Sequence, residues 1–181
     1  PRLAKSITEF DTDPMLFAAG NAWIDLKTGQ PVTPQANALV SLQSSVRYDP
    51  EADCPVFKNF LNEIFLDNDA LVKFVQRTVG YSLTGRIEEQ CLFIFNGDGA
   101  NGKSTLVNTI TKLLGGYSKT APEQTLLANQ RTGVGDDLAY LQGARFISVS
   151  EIDEGQALAE AKVKRITGGD DIAGRALYSL Y

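Results

Sequence analysis

The sequence contains no histidine, two cysteines, one methionine and one tryptophan in 181 residues. Without imidazole, mechanisms that use histidine as a base are excluded, and a catalytic zinc site is not expected. Cys54 and Cys91 lie far apart and lack paired ligand spacing, so we expect neither a disulfide nor a metal role for them. Cys91 falls in an apolar run, where a buried thiol that packs as a small hydrophobe is expected.

Long apolar runs and an excess of cations are also absent. No run of about 18 apolar residues occurs, so no membrane association is expected. A formal net charge of −5 argues against a protein that coats nucleic acid by bulk attraction, so any DNA contact has to be local. The first residue is Pro1, and no signal-peptide pattern follows it, which favours a cytoplasmic piece of a longer protein.

Residues 1–85 are predicted to form a mostly helical accessory region. A short hairpin is expected across residues 23–32, around a turn rich in polar residues and glycine. Apolar residues at helical spacing predict an amphipathic helix across 55–67, with a proline in its first turn. A second helix is predicted across 70–79, with Gly80 as its C-cap. The apolar faces of both helices are expected to belong to the core.

Residues 86–181 show a different pattern, which predicts part of an α/β core. The continuous apolar run 91–95 is typical of a parallel strand that is covered on both faces. A glycine-rich loop and a helix across 103–114 follow it. Further strands are expected at 117–121 and 144–150, and a helix at 156–166.

The glycine-rich loop fits the pattern G-x-x-x-x-G-K-[ST] at every fixed position. A loop between a strand and a helix directs backbone N–H groups and the positive helix end toward one point, which suits phosphate. Lys103 would contact the β and γ phosphates of ATP, and Ser104 would bind Mg²⁺. The alternative is a glycine-rich turn with an exposed lysine. The residues predicted to bind nucleotide are Gly97, Asp98, Gly99, Ala100, Asn101, Gly102, Lys103, Ser104 and Thr105.

An acidic group follows the predicted strand at 144–150. Glu151 would lie at the carboxyl edge of the sheet, where a carboxylate can hold the Mg²⁺ shell or orient the attacking water. Asp153 and Glu154 are both candidates for a second catalytic acid, and the sequence does not choose between them. The alternative is an acidic loop whose role is solvation.

A cluster of cations lies near the C-terminal end of an otherwise acidic chain. Such a local patch can follow a phosphate backbone even where the net charge is negative. The alternative is a solvated helix face followed by a turn. The residues predicted to contact DNA are Lys162, Lys164, Arg165, Thr167, Gly168 and Arg175.

Taken in order, four segments resemble the superfamily 3 helicases of the D5-like and P4-like phage and plasmid primases: 91–105, 137–145, 150–155 and 164–170. Thr167-Gly168-Gly169-Asp170 is the most specific of these features. Upstream, residues 21–29 and 48–61 resemble the helical domain that precedes the ATPase core in that group. This sequence has Asn21-Ala22 where the group often has Asn-Gly.

The resemblance implies an AAA+-like P-loop NTPase fold, apparently truncated at its C-terminus. It also implies ATP hydrolysis coupled to translocation on single-stranded DNA during replication, usually by a hexameric homo-oligomer. Lys103, Ser104 and Glu151 would then serve ATP and Mg²⁺, and 164–175 would line the central channel. The group's sensor residue, arginine finger and the strand between the two nucleotide-site strands would lie beyond Tyr181. We therefore expect unpaired strand edges, weak Mg-ATP binding and very little turnover by this chain alone.

Two other functions are compatible with the nucleotide loop. A small-molecule kinase would need acceptor-binding arginines, for which Arg131 and Arg145 are the candidates. A non-enzymatic replication module could instead use nucleotide as an assembly switch.

Overall fold

The computed structural model describes residues 5–35, 37–128, 140–149 and 155–168. Within these residues the strands are β1 Leu16–Ala18, β2 Trp23–Asp25, β3 Gln30–Val32, β4 Ser118–Ala121 and β5 Phe146–Val149. The helices are α1 Pro55–Ile64, α2 Asp69–Leu83, α3 Lys103–Leu114 and α4 Glu160–Gly168. Short 3-10 turns cover Ile7–Glu9, Gly115–Tyr117 and Glu123–Thr125.

The N-terminal region begins with a small antiparallel sheet in the order β1-β2-β3. The predicted hairpin is confirmed, because Trp23 pairs with Val32 and Asp25 with Gln30. β1 was not predicted, since three residues are too few to show an alternating pattern. The helices of this region lie in 55–83, so the description "mostly helical" holds for its second half and is wrong for its first.

The two predicted helices of this region are confirmed, with one correction. The side chain of Asn68 accepts a hydrogen bond from the Leu71 N–H at 3.1 Å and caps the start of α2. Gly80 was expected to end this helix, but α2 continues through it to Leu83. Gly80 is exposed and no atom would meet a Cβ there, so its only cost is conformational entropy. Leu83 beyond it packs against the core, which favours the longer helix.

The second half contains the predicted α3, β4 and β5. β4 and β5 form a parallel pair, with Ser118 opposite Phe146 and Ala121 opposite Val149. α3 ends at Leu114, and Gly115 follows with φ 55°. α4 starts later than predicted, because Leu158 bridges to Leu127 in an extended conformation before the helix begins.

The predicted strand at 91–95 is not observed. All five residues are exposed and form neither strand nor helix, although they are fully described. Ile94 is 76% exposed and Cys91 is exposed rather than buried, so both expectations were wrong. A strand needs a neighbour to pair its N–H and C=O groups. Among the described residues, no strand pairs with this segment.

One hydrophobic cluster joins the two predicted regions. It contains buried residues on both sides of the predicted boundary at 85/86: Phe17, Ala19, Ile24, Leu61, Val75, Leu106, Ile110, Leu114 and Tyr117. α3 therefore packs on the N-terminal elements as well as on β4 and β5. The boundary stays a prediction, but the two sides share a core. Among the described helices, none has the length and hydrophobicity that crossing a bilayer requires.

Candidate functional site

Residues 97–102, which we call the glycine loop, lead directly into α3. Gly97, Ala100 and Gly102 have φ values of 155°, 59° and 83°. A Cβ at Gly97 would collide with the side-chain amide of Asn101. The positive φ at both glycines disfavours any residue that has a side chain.

The Lys103 side chain turns back over the glycine loop. Its ammonium donates hydrogen bonds to the Gly97 carbonyl at 2.5 Å, the Asp98 carbonyl at 2.9 Å and Asn101 Oδ1 at 3.0 Å. The positive charge is thus held at the mouth of the loop instead of extending into solvent. The ammonium therefore lies beside the backbone of the glycine loop, the position in which a phosphate-binding lysine is expected.

Backbone donors are concentrated beside that ammonium. The N–H groups of Lys103, Ser104 and Thr105 lie in the first turn of α3 and have no intrahelical partner, and among the described residues no side chain caps this helix. The first intrahelical bond runs from the Leu106 N–H to the Gly102 carbonyl at 2.9 Å. Ser104 and Thr105 are exposed in the first helical turn. Unpaired N–H groups at the positive end of a helix attract anions.

The sheet topology places the end of β5 on the same side of the molecule as the glycine loop. Only Gly115–Tyr117 separate α3 from β4, so the helix runs back along the strands, and it packs on both of them. The N-terminus of α3 then lies toward the carboxyl ends of β4 and β5, because these strands are parallel. Glu151, Asp153 and Glu154 follow β5 but lie outside the described residues.

The predicted DNA contacts have different environments. Lys162 is half-buried, and its ammonium donates to the carbonyls of Gln124 at 3.3 Å and Leu127 at 3.2 Å. This lysine therefore attaches α4 to residues 124–127, a structural role that the sequence did not predict. Arg175 lies outside the described residues.

The other cations of α4 face solvent. Lys164 forms an ion pair with Glu160 at 2.6 Å, in which both side chains are more than 70% exposed. Arg165 is also exposed, while Thr167 and Gly168 are half-buried in the last turn. Exposed ion pairs contribute little to stability, so Lys164 can exchange Glu160 for another anion at low cost.

Sequence reasoning missed two tertiary contacts. The first joins α1 to the glycine loop: a Cβ at Gly102 would lie 2.6 Å from Ile64 Cγ2 and 3.1 Å from Phe60 Cε2. Helical spacing predicted that Phe60 and Ile64 belong to a buried face. It contained no signal for the surface against which this face packs.

The second missed contact is made by Arg145. Its guanidinium donates to the Leu83 carbonyl at 2.7 Å and the Leu16 carbonyl at 2.9 Å, and it lies 4.5 Å from the centre of the Tyr117 ring. Burial lowers the pKa of Arg145 and raises the pKa of the Tyr117 phenol, which accepts from the Ala18 N–H. Arg145 therefore connects β1, α2 and the 3-10 turn Gly115–Tyr117. This use of its donors weakens its candidacy for binding a kinase substrate.

Comparison with known proteins supports a relation to the D5-like group. Residues 1–66 match the family model described as "D5 N terminal like". Over 179 residues, 95% of this chain, the sequence is 28% identical to "Putative helicase L207/L206" of Acanthamoeba polyphaga mimivirus. The chain spans 18% of the length of that viral protein. The family match ends before the glycine loop begins, while the similarity to the viral protein extends across it.

Proposed function

We propose that this chain is the nucleotide-binding part of a superfamily 3 DNA helicase in a D5-like primase-helicase. ATP and Mg²⁺ bind at residues 97–105, and Glu151 completes the site with Asp153 or Glu154. Hydrolysis drives translocation on single-stranded DNA by a homo-oligomer, with the exposed cations of α4 near the DNA.

The observation that carries this proposal is the arrangement around Lys103. A single ammonium, a set of unpaired N–H groups and a helix N-terminus converge on one short loop. Phosphate oxygens are strong acceptors and carry the charge that such an arrangement attracts. The similarity to a viral protein named as a helicase supports the choice of helicase among P-loop functions.

The proposal is tested by DNA-stimulated ATP hydrolysis in the full-length protein with Lys103→Ala and Glu151→Gln. Both variants should lose most turnover, and only Lys103→Ala should strongly weaken Mg-ATP affinity, since it removes a direct phosphate contact. A lost charge-assisted contact of about 1.5–3 kcal/mol corresponds to roughly a 10- to 150-fold weaker affinity. Lys112→Ala is the matched control, because this exposed lysine lies in the last turn of the same helix.

A folded sample that takes up no ATP with magnesium in calorimetry would refute nucleotide binding. Phosphoryl transfer to a nucleoside or sugar would favour a kinase. Loss of oligomers in Lys103→Ala, together with wild-type protein that does not unwind DNA, would favour a nucleotide-switched module.

A further inference from the structure

We infer that Phe60 and Ile64 of α1 are positioning residues of the glycine loop, and this inference rests on the proposed nucleotide-binding function. In this arrangement the N-terminal accessory region supports the nucleotide site directly. The affinity for Mg-ATP then depends on side chains that never touch the nucleotide.

The contact is made at the residue that starts α3. Gly102 has φ 83°, and its missing Cβ leaves room for the Ile64 Cγ2 methyl and the edge of the Phe60 ring. The backbone conformation of Gly102 sets the position of the Lys103 Cα and Cβ. It therefore sets the starting point of the side chain whose ammonium donates to the carbonyls of Gly97 and Asp98. A side chain that presses on Gly102 therefore helps to set where the ammonium lies.

α1 is itself held in place by the shared core. Leu61, in the same helix, is buried in one cluster with Leu106 and Ile110 of α3. The opposite face of α1 is exposed, with Val56 at 82%. Packed interiors are dense and transmit displacements, so a shift of α1 along α3 would also displace the glycine loop.

This contact lies within the part of the chain that matches the D5 N terminal like family, because the match ends at residue 66 and α1 ends at Ile64. The inner face of α1 is thus the route by which the accessory region can influence nucleotide binding. A loop that already has its ligand-bound conformation binds the ligand more tightly, since less conformational freedom is lost on binding.

Two substitutions of Ile64 provide a matched test. Ile64→Val keeps the branch at Cβ and with it the Cγ2 methyl that faces Gly102, whereas Ile64→Leu keeps the carbon count but removes that methyl. With chain 1–181, we expect Ile64→Leu to weaken Mg-ATP affinity in calorimetry about 5- to 10-fold, and Ile64→Val to stay within about twofold. Phe60→Leu should resemble Ile64→Leu. Val56→Ala, on the exposed face, should match wild type.

Hydrogen exchange of the Leu106 amide, which donates to the Gly102 carbonyl at 2.9 Å, separates loop positioning from general packing in nucleotide-free protein. Ile64→Leu should speed exchange there more than in the sheet of β1, β2 and β3. Equal affinity and equal loop exchange in Ile64→Leu and Ile64→Val, with only a lower melting temperature, would overturn the inference. Wild-type protein without ATP uptake would defeat the proposed function, while the exchange comparison would still decide whether α1 positions the loop.

Discussion

The glycine loop and the apolar run 91–95 are close neighbours in sequence, but the loop leads into a helix as expected, whereas no strand forms at 91–95. The contacts of Lys103 with Gly97, Asp98 and Asn101 all fall within seven consecutive residues. A strand at 91–95 would need ladder partners from a distant segment, and no described strand provides them. A motif whose contacts lie within a few residues is therefore predictable locally, whereas an apolar run indicates only a tendency toward burial.

Gly102→Ala should have the largest effect, because a side chain at residue 102 is disfavoured both by the neighbouring side chains and by the backbone angle. A Cβ there meets Ile64 at 2.6 Å, and φ of 83° adds strain of about 1–3 kcal/mol. We expect Mg-ATP binding to fall below detection in calorimetry and the urea midpoint to drop. Gly80→Ala is the control, since this exposed glycine lies in α2, outside the glycine loop, and no atom lies within 4 Å of a Cβ at that position. Equal behaviour of the two variants would show that the loop does not have this geometry in solution.

Arg145→Met tests the other kind of contact in this comparison, because the guanidinium of Arg145 bonds to residues that are distant in sequence. Its two carbonyl partners lie 62 and 129 positions away. Loss of both bonds leaves half-buried carbonyls unpaired, and we expect a cost of about 2–4 kcal/mol in the free energy of unfolding in urea. Arg86→Met, which breaks an exposed ion pair with Glu88, should cost less than about 0.5 kcal/mol. Similar costs for both variants would contradict the bridging role of Arg145.

Ile94→Ser should have the smallest effect, and it tests the exposed state of the apolar run directly. At 76% exposure, the substitution should change the unfolding free energy of chain 1–181 by less than about 0.5 kcal/mol. Leu114→Ala, at 0% exposure, should cost about 2–5 kcal/mol in the same urea titration. A cost near that of Leu114→Ala would mean that residue 94 is covered in solution.

Much of the local structure could be predicted because its signals lie within a few residues. Pro55 and the apolar stripe after it predicted α1, and α3 has its predicted bounds. Gly80 was misjudged as a helix end, because an exposed glycine costs a helix little when the apolar face continues to Leu83. Lys162 was assigned to DNA from its charge alone, whereas its ammonium is bound to two backbone carbonyls.

The sequence by itself determined the candidate nucleotide site: the spacing of Gly97, Gly102 and Lys103 encodes a loop that a single helix N-terminus completes. Only the tertiary structure decided what supports that loop and which long-range bonds join the two halves. Periodicity shows that a face is apolar, but it does not identify the surface that covers it. The packing of Ile64 on Gly102, and the bonds of Arg145 to Leu16 and Leu83, arise only when distant segments meet around one core.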